Sequence, residues 1–189
     1  MISKKEQIFL AARKLFRHKG YVASSMQDIA AELNIKAASL YNHIQSKHEI
    51  LQKLLVEGGE LFARGMSEIK GSSLAAMEKL ERLIALHVRI SIEHTDLMAL
   101  MMVEWRHLEE PALTQYRTLR DDYENDFREI LKQAIEEEQL EGVHQEIALF
   151  SMLTTLQRFY AWYDKRSNMN ALDLEKHTIK CLLDGIRKD

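Results

Sequence analysis

The segment KAASLYNHIQSK, residues 36–47, is rich in hydrogen-bonding side chains and holds no carboxylate. That combination suits a polyanion. Ser39 and Asn42 can exchange hydrogen bonds with base edges, and Ala37 or Ala38 can touch a thymine methyl. Tyr41 and His43 can donate to phosphate oxygens while their rings pack, and Lys36 lies on the same free face. Lys47 can meet a phosphate together with the N-terminus of the helix it opens. Upstream, Ser25 is placed to cap a helix whose first-turn N–H groups face another phosphate, with Met26 beside it at the first helical position. These residues form the candidate set for contact with double-stranded DNA.

Such contacts need a frame, and the flanking pattern predicts one. Ile8, Ala11, Ala12, Leu15 and Phe16 recur at helical spacing over Lys4 to Lys19, and Gly20 follows as a helix-ending residue in the left-handed conformation. Ser24 or Ser25 caps the next helix, and Ser25 has Asp28 three residues on. Asn34 accepts a tight turn, after which a short helix runs from about Lys36 to His43. Ala30 is small where the two helices cross; Ile29, Leu33, Ile35, Leu40 and Ile44 supply a shared core. This is a helix-turn-helix, whose second helix enters a major groove.

Downstream, Ser46 opens a long helix to about Ile69, and Gly71-Ser72-Ser73 forms a turn and cap for a helix over about 73–94. Thr95-Asp96 caps a short apolar helix ending near Leu108. Pro111 fits the first turn of a long helix that reaches about Gln139 and ends at Gly142. Two final helices cover about 144–166 and 171–187, separated by Ser167-Asn168-Met169-Asn170. The predicted fold is all-α, with about nine helices and no convincing strand. It divides into residues 1–47 and a larger helical domain, 48–189.

Charge follows the same division. The net charge is −3, yet residues 1–47 carry eight Lys/Arg against three acids, +5, and residues 48–189 carry 18 against 26, −8. A basic head on an acidic body is what a modular DNA binder shows. The one cysteine, Cys181, excludes an intrachain disulfide and a multi-Cys metal site; its helical neighbours Ile179, Leu182 and Leu183 predict a buried, inert thiol. No signal peptide is apparent and no apolar run is long enough to cross a membrane, so a cytoplasmic protein without membrane attachment is expected.

Read in register, Gly20-Tyr21, Ser24-Ser25, Ile29-Ala30, Ala38-Ser39, Leu40-Tyr41, His43 and Lys47 resemble the TetR family of repressors. The resemblance in motif is confined to the head; the remainder matches in architecture. Ile44 stands where the family usually has Phe, Ala38 where Gly is common, and Asn42 where an aromatic is frequent, which puts the operator sequence in doubt. The resemblance implies a repressor released by a small-molecule effector, and a homodimer whose last two helices pair as a four-helix bundle. The sequence allows this. Leu149, Met152, Leu153, Leu156, Phe159, Tyr160 and Tyr163 form one apolar side of helix 144–166, and Phe150, Thr154, Gln157 and Ala161 a second, mixed side. Leu174, Thr178, Cys181, Leu182 and Gly185 form a stripe on helix 171–187. A helix with two such sides touches two layers; a buried central helix in a monomer is the alternative.

Met98, Met101 and Met102, with Trp105, suit an adaptable pocket and equally an ordinary core. His87, Tyr116, Tyr123, Phe127, Phe159 and Trp162 are further candidates to line a cavity, with core packing open for each. An Arg aimed into a cavity would favour a carboxylate or phosphate, whereas acids nearby offer Arg120 a solvated salt bridge. The Trp105 region and the Arg120-x-x-Tyr123 pattern resemble TetR-type regulators of fatty-acid metabolism that respond to acyl-CoA. Two rivals belong to other classes. A helical protein-interaction adaptor would not need the polar face. A metal-bundle enzyme needs paired Glu-x-x-His motifs, and only Glu104/His107 is present. No phosphate loop or hydrolase elbow occurs, so no enzyme, metal or cofactor is expected.

Overall fold

The computed structural model describes residues 2–137, 140, 144–166 and 169–184. Gly142, Ser167, Asn168 and Gly185, used above as a helix end, linker and interface position, lie outside the described residues. Among the described residues the chain is all-α, with nine α-helices and one 3-10 turn. They are α1 (Lys4–Lys19), α2 (Met26–Glu32), α3 (Ala37–Tyr41), α4 (Lys47–Lys70), α5 (Ala76–Glu93), α6 (Thr95–Val103), α7 (Ala112–Glu136), α8 (Gln145–Arg166) and α9 (Ala171–Leu183), with the 3-10 turn Glu104–His107 between α6 and α7.

Local chemistry sets the ends. Ser3 and Glu6 cap α1 reciprocally, and Ser25 and Asp28 do the same for α2. Gly20 ends α1 at φ 85°, ψ 148°, the extended positive-φ region open to glycine, rather than the left-handed helical region expected. Asn34 makes the predicted tight turn at φ 52°. The start of α5 differs from expectation. Ala75 precedes it and has no side-chain acceptor, so Glu78 alone accepts from the Ala75 N–H at 3.1 Å. Ser72 instead donates to the Ile69 carbonyl at 2.7 Å and closes α4.

The chain forms two compact units, Met1–Gly59 with Asp96–Arg117 and Glu60–Thr95 with Thr118–Asp189. In the first, α1 packs on α2 and α2 on α3 around Ile8, Ala12, Phe16, Ile29, Ala30, Leu40 and Ile44, all under 4 % exposed. In the second, α5 packs on α8 and α9, and Leu80, Leu83, Val88, Phe127, Leu131, Leu156 and Leu183 are fully buried. Cys181 is exposed, contrary to expectation. The buried residues of α9 are Leu174 and Leu183, which leaves the thiol beside a groove.

Candidate nucleic-acid interface

The turn between α2 and α3 is built on one carbonyl. Ala30 O accepts from the N–H groups of Leu33, 3.2 Å, and Ile35, 3.0 Å, so the chain reverses within three residues. Leu40 and Ile44 then anchor α3, at 0 % and 1 % exposure. Helical spacing turns the intervening residues outward. Lys36, Ala38, Ser39, Tyr41, Asn42 and His43 are exposed and Ala37 is half-buried. Seven of the DNA-contact candidates are therefore accessible or partly so around the anchored Leu40 and Ile44.

The other three sit differently. Met26 points into the core, at 8 % exposure. Ser25 is half-buried, and its hydroxyl donates to Asp28 Oδ2 at 2.7 Å while accepting from the Asp28 N–H at 3.1 Å. Lys19 also donates to Asp28, at 2.7 Å, and its hydrogen bond, followed by those from Ser25, draws the Asp28 carboxyl down to about 2. Lys47 is half-buried. Its ammonium donates to the carbonyls of Tyr21, Val22 and Ser24 at 2.9, 3.2 and 2.7 Å, and lies 4.6 Å from the centre of the Tyr21 ring. Three donors and a cation–π contact tie the α1–α2 turn to the start of α4.

A second set of residues in this unit meets in a way sequence reasoning did not anticipate. Tyr21 is buried, edge-on to Phe16 with ring centroids 5.2 Å apart and 5.4 Å from His107. Its N–H donates to Glu104 Oε1 at 3.3 Å, and its hydroxyl lies 3.3 Å from His48 Nδ1. Burial, then the Glu109 and Glu104 carboxylates, hold the phenol above its ordinary pKa. Arg17 pairs with Asp96. The Glu-x-x-His pair weighed as a metal motif is part of this contact: Glu104 Oε2 is 3.4 Å from His107 Nε2 while Oε1 takes the Tyr21 N–H. The only hint in the sequence was Tyr21 itself, an aromatic directly after the helix-ending glycine.

The pocket candidates divide between the units. Met98, Met101 and Tyr116 are buried in the first, with Met102 and Trp105 half-buried. There the Tyr116 hydroxyl donates to the Met101 carbonyl at 3.0 Å, and Arg117 covers Trp105 at 5.8 Å. His87, Tyr123, Phe127 and Phe159 are buried in the second. His87 and Tyr123 ring centroids are 5.5 Å apart, and Phe62, absent from the sequence set, is 4.8 Å from His87 and 5.6 Å from Tyr123. Arg120 is exposed and bonds Asp121 at 3.0 and 3.1 Å, which is the salt-bridge alternative.

On α8 the first apolar side is buried through Leu149, Met152, Leu153, Leu156, Phe159 and Tyr160. On the second side Phe150 is 71 % exposed, Thr154 is exposed, and Gln157 and Ala161 are half-buried. A groove of about 410 Å³ between α8 and α9 is lined by Phe159, Trp162, Leu174, Thr178, Cys181 and Leu182, among others. No helix is long and apolar enough to cross a membrane among the described residues.

Residues 8–54 match the family described as bacterial regulatory proteins, tetR family, and residues 73–186 match the tetracyclin repressor-like C-terminal domain. IcaR of Staphylococcus epidermidis, the negative regulator of a biofilm operon, is 45 % identical over 49 residues, 26 % of either chain. The repressor KstR2 of Rhodococcus jostii is 25 % identical over 182 residues, 93 % of this chain and 87 % of its own. The structure of KstR2 from Mycobacterium tuberculosis superposes with a TM-score of 0.93 at 21 % identity, covering 100 % of this chain and 97 % of that one. AibR, solved with isovaleryl coenzyme A and operator DNA, does so with a TM-score of 0.82 at 21 % identity over 96 % of this chain and 98 % of its own. An outward polar α3 on a two-helix anchor, in a chain matched over residues 8–54 and 73–186 by these two domains, makes the protein a member of the TetR family of helix-turn-helix, DNA-binding transcriptional regulators, which are not enzymes.

Proposed function

We propose that the chain is a repressor that binds a palindromic operator as a homodimer and leaves it when a small hydrophobic or acyl-CoA-like effector enters the helical body. One observation carries the DNA reading: Leu40 and Ile44 are anchored while Ser39, Tyr41, Asn42 and His43 beside them stand exposed. Residues 1–47 are the reading head and residues 48–189 the effector and dimerisation part. Ser39 and Asn42 meet base edges, and Lys36, Tyr41 and His43 meet phosphates. Lys47 works behind the interface by holding the α1–α2 turn.

The exposed Phe150 and Ile147 of α8 and the neighbouring groove support pairing through α8 and α9, which would set two heads about 34–36 Å apart. The effector reading draws on the aromatic cluster of the body and on AibR, whose structure holds an acyl-CoA and DNA together. Ligand shifts the pair by binding the DNA-incompetent arrangement better, acting through the long α4 that Lys47 ties to the head. A protein of this kind works beside the chromosome in the cytoplasm and needs no cofactor.

The test is selection from randomised duplexes followed by salt titration. Enrichment of a palindrome, with affinity that falls steeply with salt, is expected. Ser39→Ala with Asn42→Ala should relax the selected sequence at the positions they read. Failure to retain any duplex at low ionic strength overturns the reading.

A further inference from the structure

The second unit buries three polar side chains that have no protein hydrogen-bond partner among the described residues: His87 through both ring nitrogens, Ser91 through its hydroxyl and Tyr123 through its phenol. They are 4 %, 0 % and 8 % exposed. Buried polar groups in folded proteins are almost always paired, so three in one unit call for a reason. His87 and Ser91 lie one turn apart on the same side of α5, and the Tyr123 ring of α7 stands edge-on to His87. Phe62 of α4 and Phe127 close an apolar wall around them. We propose that His87, Ser91 and Tyr123 are the hydrogen-bonding anchor for the buried end of the effector, and that this end is an uncharged carbonyl or hydroxyl on an apolar body rather than a carboxylate.

Two features select the uncharged class. The three side chains form a neutral set. Burial alone holds the imidazole down to about 3 and pushes the phenol up, so neither carries charge near neutrality. A neutral imidazole offers one donor and one acceptor, and each hydroxyl offers both, which matches a ketone, ester, thioester or alcohol. The approach is also unfavourable to an anion. Tyr123 lines a groove of about 360 Å³ with Met66, Lys70, Asp122 and Asp126. Among the described residues that line it the one cation is Lys70, already bonded to Asp126 and, at 2.8 Å, to Glu129. A carboxylate would pass acids on its way to a neutral set of side chains.

The inference rests on the effector reading above, and ligand binding is measured on the free protein. Calorimetric titration of the full chain at pH 7.5 with 2-undecanone, 2-undecanol and undecanoate compares equal chains that differ in the head group. The ketone or the alcohol should bind at least about tenfold tighter than the acid. Tyr123→Phe and Ser91→Ala should each weaken that binding by about 3- to 10-fold. Both should also raise the melting temperature of the free protein by about 2–4 °C, because each removes a buried group that lacks a partner. Equal or tighter binding of undecanoate, no binding of either neutral probe, unchanged affinity in both variants, or a fall in melting temperature in both would each overturn the inference. Operator binding is read on the same preparations: its loss removes the underlying reading, whereas lost selectivity with operator binding intact removes only the anchor.

Discussion

The head and the helical body differ in how they treat most of their buried polar groups, although Arg13 Nε in the head is also buried without a partner among the described residues. In the head, Ser24 is 3 % exposed and its hydroxyl donates to the Gly20 carbonyl, Ser25 and Asp28 cap each other, and the Lys47 ammonium satisfies three carbonyls. In the body, His87, Ser91 and Tyr123 are buried with no hydrogen-bond partner among the described residues. A surface that docks on a rigid duplex gains from being finished before contact, since ordering it later would cost affinity. A site that must respond to a ligand gains from groups that only the ligand completes. The stability of this chain should therefore reside in the head's polar frame and be withheld in the body's.

The comparison breaks most readily at its apolar anchor. Leu40→Ala, at 0 % exposure, should cost about 3 kcal/mol in chemical denaturation and abolish duplex binding, because α3 loses its seat. If stability is unchanged, α3 is not held as described. Next, Lys47→Ala leaves three carbonyls without their donor and should cost about 2 kcal/mol, read as a lower melting temperature in the absence of DNA. Loss of duplex affinity with an unchanged melting point would make Lys47 a phosphate contact instead.

Acid should expose the body's side of the contrast. The folded pKa of His87 is held at about 3, below its unfolded value of 6.5, so its contribution is full above pH 6.5 and is lost as the unfolded state takes up the proton on the way down to about pH 3. The unfolding free energy should fall by about 1.4 kcal/mol per pH unit in that window from this group, and His87→Leu should flatten the slope. The smallest effect belongs to the α2 cap. Ser25→Ala should cost about 1 kcal/mol at neutral pH. Because the folded Asp28 carboxyl titrates at about 2 against an ordinary 3.8, the cap should hold above pH 4 and fail as pH falls through 2, as followed by helical ellipticity of the head.

Much of the head was legible because its determinants are local. The reciprocal cap needs only Ser25 and Asp28 three residues apart, and the α2–α3 turn only a residue that tolerates positive φ at Asn34. The two sides of α8 were legible for the same reason, as helical periodicity separates Leu149 and Leu156 from Phe150 and Thr154 whatever the rest of the chain does. The start of α5 was misread because two serines invite a cap, and the preceding helix used one of them to close its own last turn.

What the amino-acid order determined alone is everything carried by neighbours within one helical turn: the helices, nine of them among the described residues, their polar and apolar faces, and an outward α3 with a basic surround. Tertiary structure decided which distant groups meet. Lys47 turned back onto carbonyls more than twenty residues away, Glu104 reached the Tyr21 N–H, and His87 and Tyr123 were buried together with no hydrogen-bond partner among the described residues. Backbone hydrogen bonds repeat every turn and so can be read from spacing, whereas a side chain's partner depends on how whole helices stack, which no local pattern encodes.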